Sequence, residues 1–189
     1  MIDKLGIEKA IYDLIVALGE DPQREGLIET PKRVAKMYAE VLEGIQYTND
    51  EIADMFRKSF EVEASNNIVV VKDIQCFSFC EHHLALMYNM SISVGYLPTG
   101  KVLGLSKVAR IADMVCKRLQ LQERIGADIA YIIRKVTGTQ NVAVYIEAEH
   151  SCMTTRGIKK AGAKTSTLTK YGAFNDDSLK TEFLRLVGA

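Results

Sequence analysis

Apolar positions recur at helical spacing over residues 2–18, where Leu5, Ile11, Leu14, Ile15 and Leu18 fall near one face and Gly19 is placed to end the helix. The polar stretch EDPQREGLIETP follows. Thr30 before Pro31 reads as an N-cap with proline at the first helical position. The second predicted helix runs to about Gly44, with Val34, Met37, Tyr38, Val41 and Leu42 on its buried side. A third, short helix is predicted around NDEIADMFRKSF. After EASNN (63–67) the period changes: IVVVKDI (68–74) is β-branched and MSISVGYL (90–97) alternates, so both read as strands. A Pro98-Thr99-Gly100 turn leads to a short extended KVLGL. Ser106 opens a helical region with Ile111, Met114, Val115 and Leu119 on one face. LQLQERIGADIAYIIRKVTG supplies another helix, with Ile125, Ile129, Ile132, Ile133 and Val136 inward. NVAVYIEAEHSCM and AKTSTLTKYGAF read as two further strands, and DSLKTEFLRLVGA as a terminal helix.

Helices, two strands, two helices, two strands and a helix make a segregated order. That order implies an α+β fold: a four-stranded antiparallel sheet with a helix pair on one face. The 189 residues read as one domain, with a helical N-terminal arm over 1–66 and a core over 67–189. Open sheet edges invite pairing with neighbouring subunits.

Composition narrows the partners. A formal net charge of +0 gives no general attraction to nucleic acid or an anionic membrane, although a local basic pocket for a phosphorylated ligand is compatible with it. The N-terminus mixes charges with apolar residues, unlike a secretory signal, and no apolar run approaches the ~18 residues of a membrane span. A cytoplasmic setting is expected, in which Cys76, Cys80, Cys116 and Cys152 stay reduced and are open to metal or catalytic use.

Chemistry concentrates in CEHH, residues 80–83, which holds two of the three histidines. Cys80 and His83 have a C-x-x-H spacing suited to gripping one ion. His150 and Cys152 lie two apart in a predicted strand, so both are expected to look to the same side. Thiolate and imidazole together favour zinc, with iron as the alternative. Cys76, four residues before Cys80, could complete a closed structural set, whereas three ligands would leave a position for water. Cys116 lies on an apolar helix face and reads as core. Ser106, Lys107 and Arg110 open a helix, and Arg156 follows Cys152 in CMTTRG; such groups suit an anion. Arg33 and Lys36 add charge on the second helix. Gln122 and Glu123 read either as a pair for the edge of a nucleobase or as a solvated helix face.

CEHH, VLGLSKVARIAD, RLQLQERIGADIA, EAEHSCMTTRGI and TSTLTKYGAF, with EDPQREGLIETPKRVAKMY upstream, together resemble the zinc-dependent GTP cyclohydrolase I family over nearly the whole chain. The resemblance implies the tunnelling fold, assembled as a homodecamer with active sites at subunit interfaces. It implies one Zn2+ per subunit on Cys80, His83 and Cys152, a zinc-bound water as nucleophile, and His82 and His150 as acid/base groups. It implies triphosphate and ribose contacts from Ser106, Lys107, Arg110 and Arg156, with Arg33 and Lys36 arriving from a neighbouring subunit. Glu123, supported by Gln122, would anchor guanine. The implied reaction opens GTP at purine C8, releases formate and yields 7,8-dihydroneopterin triphosphate. One stretch departs from the family's habit: HHLALMYNMS stands where HHLLPFFGK is usual, one residue longer and without the proline and Gly-Lys.

Overall fold

A computed structural model describes residues 1–63 and 67–189. They form two compact units, Met1–Gln46 and Tyr47–Ala189. The expected arm boundary at residue 66 falls outside the described residues.

In the first unit, α1 (Lys4–Ala17) packs on α2 (Thr30–Val41). The Asp3 carboxylate caps α1 by accepting from the Gly6 amide at 2.9 Å. Gly19, at φ +84°, takes the left-handed conformation that ends the helix. Thr30 is not the cap expected of it. Glu29 occupies that position, and the Thr30 hydroxyl turns back to the Gly26 carbonyl. Pro31 and Ala35 are the buried residues of α2, while Met37, expected inward, is exposed.

The second unit opens with α3 (Asn49–Met55), held by a reciprocal cap between Thr48 and Glu51. Its main sheet contains β2 (Val69–Cys80), β3 (Ala85–Tyr96), β6 (Val142–His150) and β7 (Lys164–Tyr171), all antiparallel. A two-residue strand, β5 (Leu119–Gln120), adds in parallel along β2, so the order is β5-β2-β3-β6-β7. A separate ribbon pairs β1 (Ser59–Glu61) with β4 (Lys101–Leu103). The four antiparallel strands are those expected. The sheet is mixed because β5, too short to carry a pattern, hydrogen-bonds to β2.

Each face of this sheet is covered differently. Val142, Val144, Ile146 and Ala148 of β6 join the main core with α4 (Leu105–Cys116) and α5 (Gln122–Thr137). Ala143 and Tyr145, pointing the other way as strand alternation requires, meet Phe174 and Phe183, the latter on α7 (Asp177–Val187). Two glycines permit close approach. A Cβ at Gly126 of α5 would lie 2.4 Å from Thr169 Oγ1 of β7, and one at Gly95 would lie 2.7 Å from the Phe183 ring. A fully buried Tyr96 hydroxyl accepts from the Leu103 amide at 3.0 Å and ties β3 to β4. Among the described residues, no helix is long and apolar enough to cross a membrane.

The long strands extend further than their β-branched runs. β2 reaches Cys80 and β3 begins at Ala85, so the CEHH motif forms the turn between them. The stretch after the histidines pairs irregularly with its neighbour. Along β3, Tyr88 pairs with Glu149 but Ser91 pairs with Glu147, so one extra residue is taken up in a bulge with Asn89 at φ +47°. The bulge leaves Met87 opposite His150.

Candidate metal centre

Cys80 is the last residue of β2, and three features fix it there. Its backbone pairs with Gln120 of β5, and the Glu81 amide donates to the Gln120 carbonyl at 3.2 Å. The Gln120 side chain is anchored in turn, donating to the Val115 carbonyl and to Asp128. Asp128 also takes Arg118 and Asn49, a half-buried network joining α3, α5 and β5. Ser78, buried two residues earlier, donates to the Cys116 carbonyl at 2.7 Å and so ties β2 to the end of α4.

The turn then reverses. Leu84, at φ +51°, donates its amide to the Cys80 carbonyl at 2.9 Å. Glu81 receives a two-pronged ion pair from Arg124, at 2.6 and 3.2 Å. Arg124 holds the Glu81 carboxyl below its ordinary pKa. The sequence marks Glu81 only as a polar member of CEHH, with no role of its own, and Arg124 not at all, although the pair links the turn to the first turn of α5. A charged partner forty-three positions away leaves no local signal.

Cys152 arrives by a different route from the one expected. The strand β6 stops at His150, and Ser151–Thr154 form a single helical turn, α6. The i,i+2 alternation therefore does not apply. The turn is pinned because the Ser151 hydroxyl donates to the Leu86 carbonyl of β3 at 2.7 Å, while Thr155 donates to the Ser151 carbonyl. This places Cys152 beside the CEHH turn. The ligand atoms of Cys80, His83 and Cys152 all lie within 4.8 Å of one another, the one such metal-competent group among the described residues. Cys76 is outside it.

Cys80 Sγ lies 3.7 Å from His82 Nδ1 and 3.9 Å from His83 Nδ1. The two rings sit 6.2 Å apart at 67°, so the adjacent imidazoles present different faces. Arg156 Nη1 lies 2.9 Å from His83 Nε2. Burial pushes the Cys152 thiol above its usual pKa, the neighbouring Cys80 adds to this, and Arg156 opposes it. A cation bound here would reverse that preference, since coordinated thiols deprotonate. Two thiolates and an imidazole match zinc's donor preference, so the cluster is compatible with that ion.

His150, at the end of β6, is half-buried. Burial lowers its pKa, and the nearby Glu123 carboxylate acts in the opposite sense. Its Nε2 lies 2.8 Å from Gln122 Oε1. Glu123 is exposed on the first turn of α5, but the Gln122 side chain is buried, so the two do not share one solvated face. Ser106, Lys107 and Arg110 lie on the first two turns of α4, with Ser106 and Arg110 exposed. Arg33 and Lys36 belong to the first unit, where Arg33 pairs with Glu29 at 2.6 Å and Lys36 is exposed.

Fold and site together define a class: an α+β enzyme of the tunnelling-fold type in which two thiols and an imidazole gather into a cluster compatible with a metal ion. The sequence profile of GTP cyclohydrolase I matches residues 7–188, and the chain belongs to that family. The GTP cyclohydrolase 1 of Clostridium acetobutylicum is 60% identical over 193 residues, spanning 100% of this chain and 99% of that protein. The protein of the same name from Ruminiclostridium cellulolyticum is 59% identical over 191 residues, spanning 98% of each. Among solved structures, the apo archaeosine synthase QueF-Like aligns at a TM-score of 0.47 and 19% identity, covering 57% of this chain and 96% of that one.

Proposed function

We propose that the chain hydrolyses GTP at purine C8 and rearranges the ribose, giving 7,8-dihydroneopterin triphosphate and formate. The observation that carries this reading is the Cys80–His83–Cys152 cluster, flanked by His82 and Arg156, with His150 two residues before Cys152, in a chain of the GTP cyclohydrolase I family. Cys80, His83 and Cys152 would hold one zinc ion. When bound, it would lower the pKa of a coordinated water towards ~7 and polarise the substrate.

The chain's own groups supply the rest. The Glu123 carboxylate accepts from the N1–H and amino group of guanine and so orients C8 towards the cluster. Water adds at C8, the imidazole ring opens, and a second water releases formate. The ribose carbons then close onto the diaminopyrimidine with loss of water, so the net uptake is one water per GTP. These steps need proton transfers in both directions. His150 and His82 move those protons, a task suited to imidazoles near neutral pH. Ser106, Lys107, Arg110 and Arg156 bind the triphosphate, which stays intact and acts as a handle for orientation. Arg33 and Lys36 complete that site from a neighbouring subunit in a homodecamer whose active sites lie at subunit interfaces. The setting is a reducing cytoplasm, in keeping with four free thiols.

The test is the mass of the product formed from GTP, with metal content measured on the same sample. Conversion to the pterin triphosphate, with about one zinc per chain, is expected from a three-ligand site. Zinc-loaded, assembled protein that leaves GTP untouched would sink the reading.

A further inference from the structure

We infer that Gln122 is a positioning residue. It holds His150 in the tautomer that carries its proton on Nε2 and leaves the Nδ1 lone pair free for proton transfer. This deepens the proposed GTP chemistry and rests on it for the role of His150.

The inference starts from a fully defined amide. Gln122 is 2% exposed. Its Nε2 faces the Ile146 carbonyl at 3.1 Å, the Thr165 carbonyl at 2.9 Å and Thr167 Oγ1 at 3.2 Å. Backbone carbonyls only accept, so the amide NH2 must point at them. Exchanging nitrogen and oxygen would set one carbonyl oxygen against two others in a buried site, at a cost comparable to lost hydrogen bonds. With the nitrogen fixed, Oε1 faces His150 Nε2 at 2.8 Å. That oxygen can only accept, so the imidazole must donate from Nε2. In neutral imidazole the other nitrogen, Nδ1, is then the acceptor.

The anchor is rigid for reasons set elsewhere in the fold. Ile146 pairs with Thr167, and Ala148 with Thr165, in the β6–β7 ladder, so the acceptors for Gln122 are locked by strand register. Gln122 is the first residue of α5, and Gly126 brings that helix against Thr169 of β7. The amide thus senses the backbone of two strands and transmits their position to the side chain at the end of one of them. A side chain committed in this way is not turned towards the edge of a base, which leaves that role to Glu123.

The experiment uses the full, zinc-loaded chain labelled with 15N-histidine. Long-range 1H–15N correlation distinguishes protonated from bare ring nitrogens, and His150→Asn assigns the signal among three histidines. The expected spectrum has a protonated Nε2 and a bare Nδ1 on His150. Gln122→Met, similar in volume but without the amide, should give tautomer-averaged shifts. Its kcat should fall roughly 10–100-fold, the usual effect of removing an orienting partner, with KM for GTP and zinc content unchanged. A wild-type His150 protonated on Nδ1 would overturn the inference. So would a variant with an unchanged spectrum, or one whose loss falls on KM alone, which would make Gln122 a contact to the base. The wild-type spectrum, assigned through His150→Asn, does not depend on Gln122→Met, so it decides the matter even where that variant fails to fold. The spectrum is read without GTP, so absent turnover bears only on the GTP reading.

Discussion

Two thiol pairs begin four residues apart on β2, and their surroundings are opposite. Cys76 sits beside Cys116 at the end of α4. Cys116 is buried, with its sulfur 3.8 Å from that of Met90, and both the Cys76 thiol and burial push its pKa well up. Cys80 meets Cys152, two imidazoles and, through His83, the Arg156 guanidinium. The first pair is a soft filler in the core, where a free cysteine behaves as a small hydrophobe. The second has a nitrogen donor and a basic group within reach. Residue type does not separate the two pairs; the neighbours supplied by the fold do.

Three substitutions press on this contrast. The largest effect is expected from His83→Ala, which takes the imidazole from the cluster. Elemental analysis should show zinc lost to background, with turnover lost as well. Retention of stoichiometric zinc would make the second pair no different from the first. A smaller effect is expected from His82→Ala, one position away. Zinc should stay, while turnover falls about 10²–10⁴-fold, the range for a general acid/base group. Equal zinc loss in both variants would erase the division of labour between the adjacent rings. The smallest effect is expected from Cys76→Ser. Zinc content and kcat/KM should match the parent, because its partner is Cys116. Loss of metal there would join the two pairs into one four-ligand structural site.

Much of this was legible along the chain. The helices α4 and α5 show apolar residues every three or four positions because each buries one side against the sheet and exposes the other. The strands β3 and β6 show period two where their faces differ. The candidate ligands stand out because all three histidines and two cysteines fall into two short motifs. Other features left no local trace. The two residues of β5 cannot carry a period, yet their backbone holds Cys80 in place. HSCM continues the look of a strand, but Ser151 bonds to β3 and the chain turns into α6. Thr30 before Pro31 has the letters of a cap, and Glu29 takes the position instead. Gln122 reads as polar surface because it neighbours Glu123 and Arg124; only the β6–β7 carbonyls above it make it core.

The sequence by itself determined which groups can bind a metal, accept a proton or hold an anion, and in what order they occur. Side-chain chemistry is a property of the residue, and an amphipathic period is a local one. The tertiary structure decided which thiol meets an imidazole and which nitrogen of His150 is free. Those depend on direction, and direction is set by a bulge at Asn89, a turn at Leu84 and a ladder register, each fixed by partners distant along the chain.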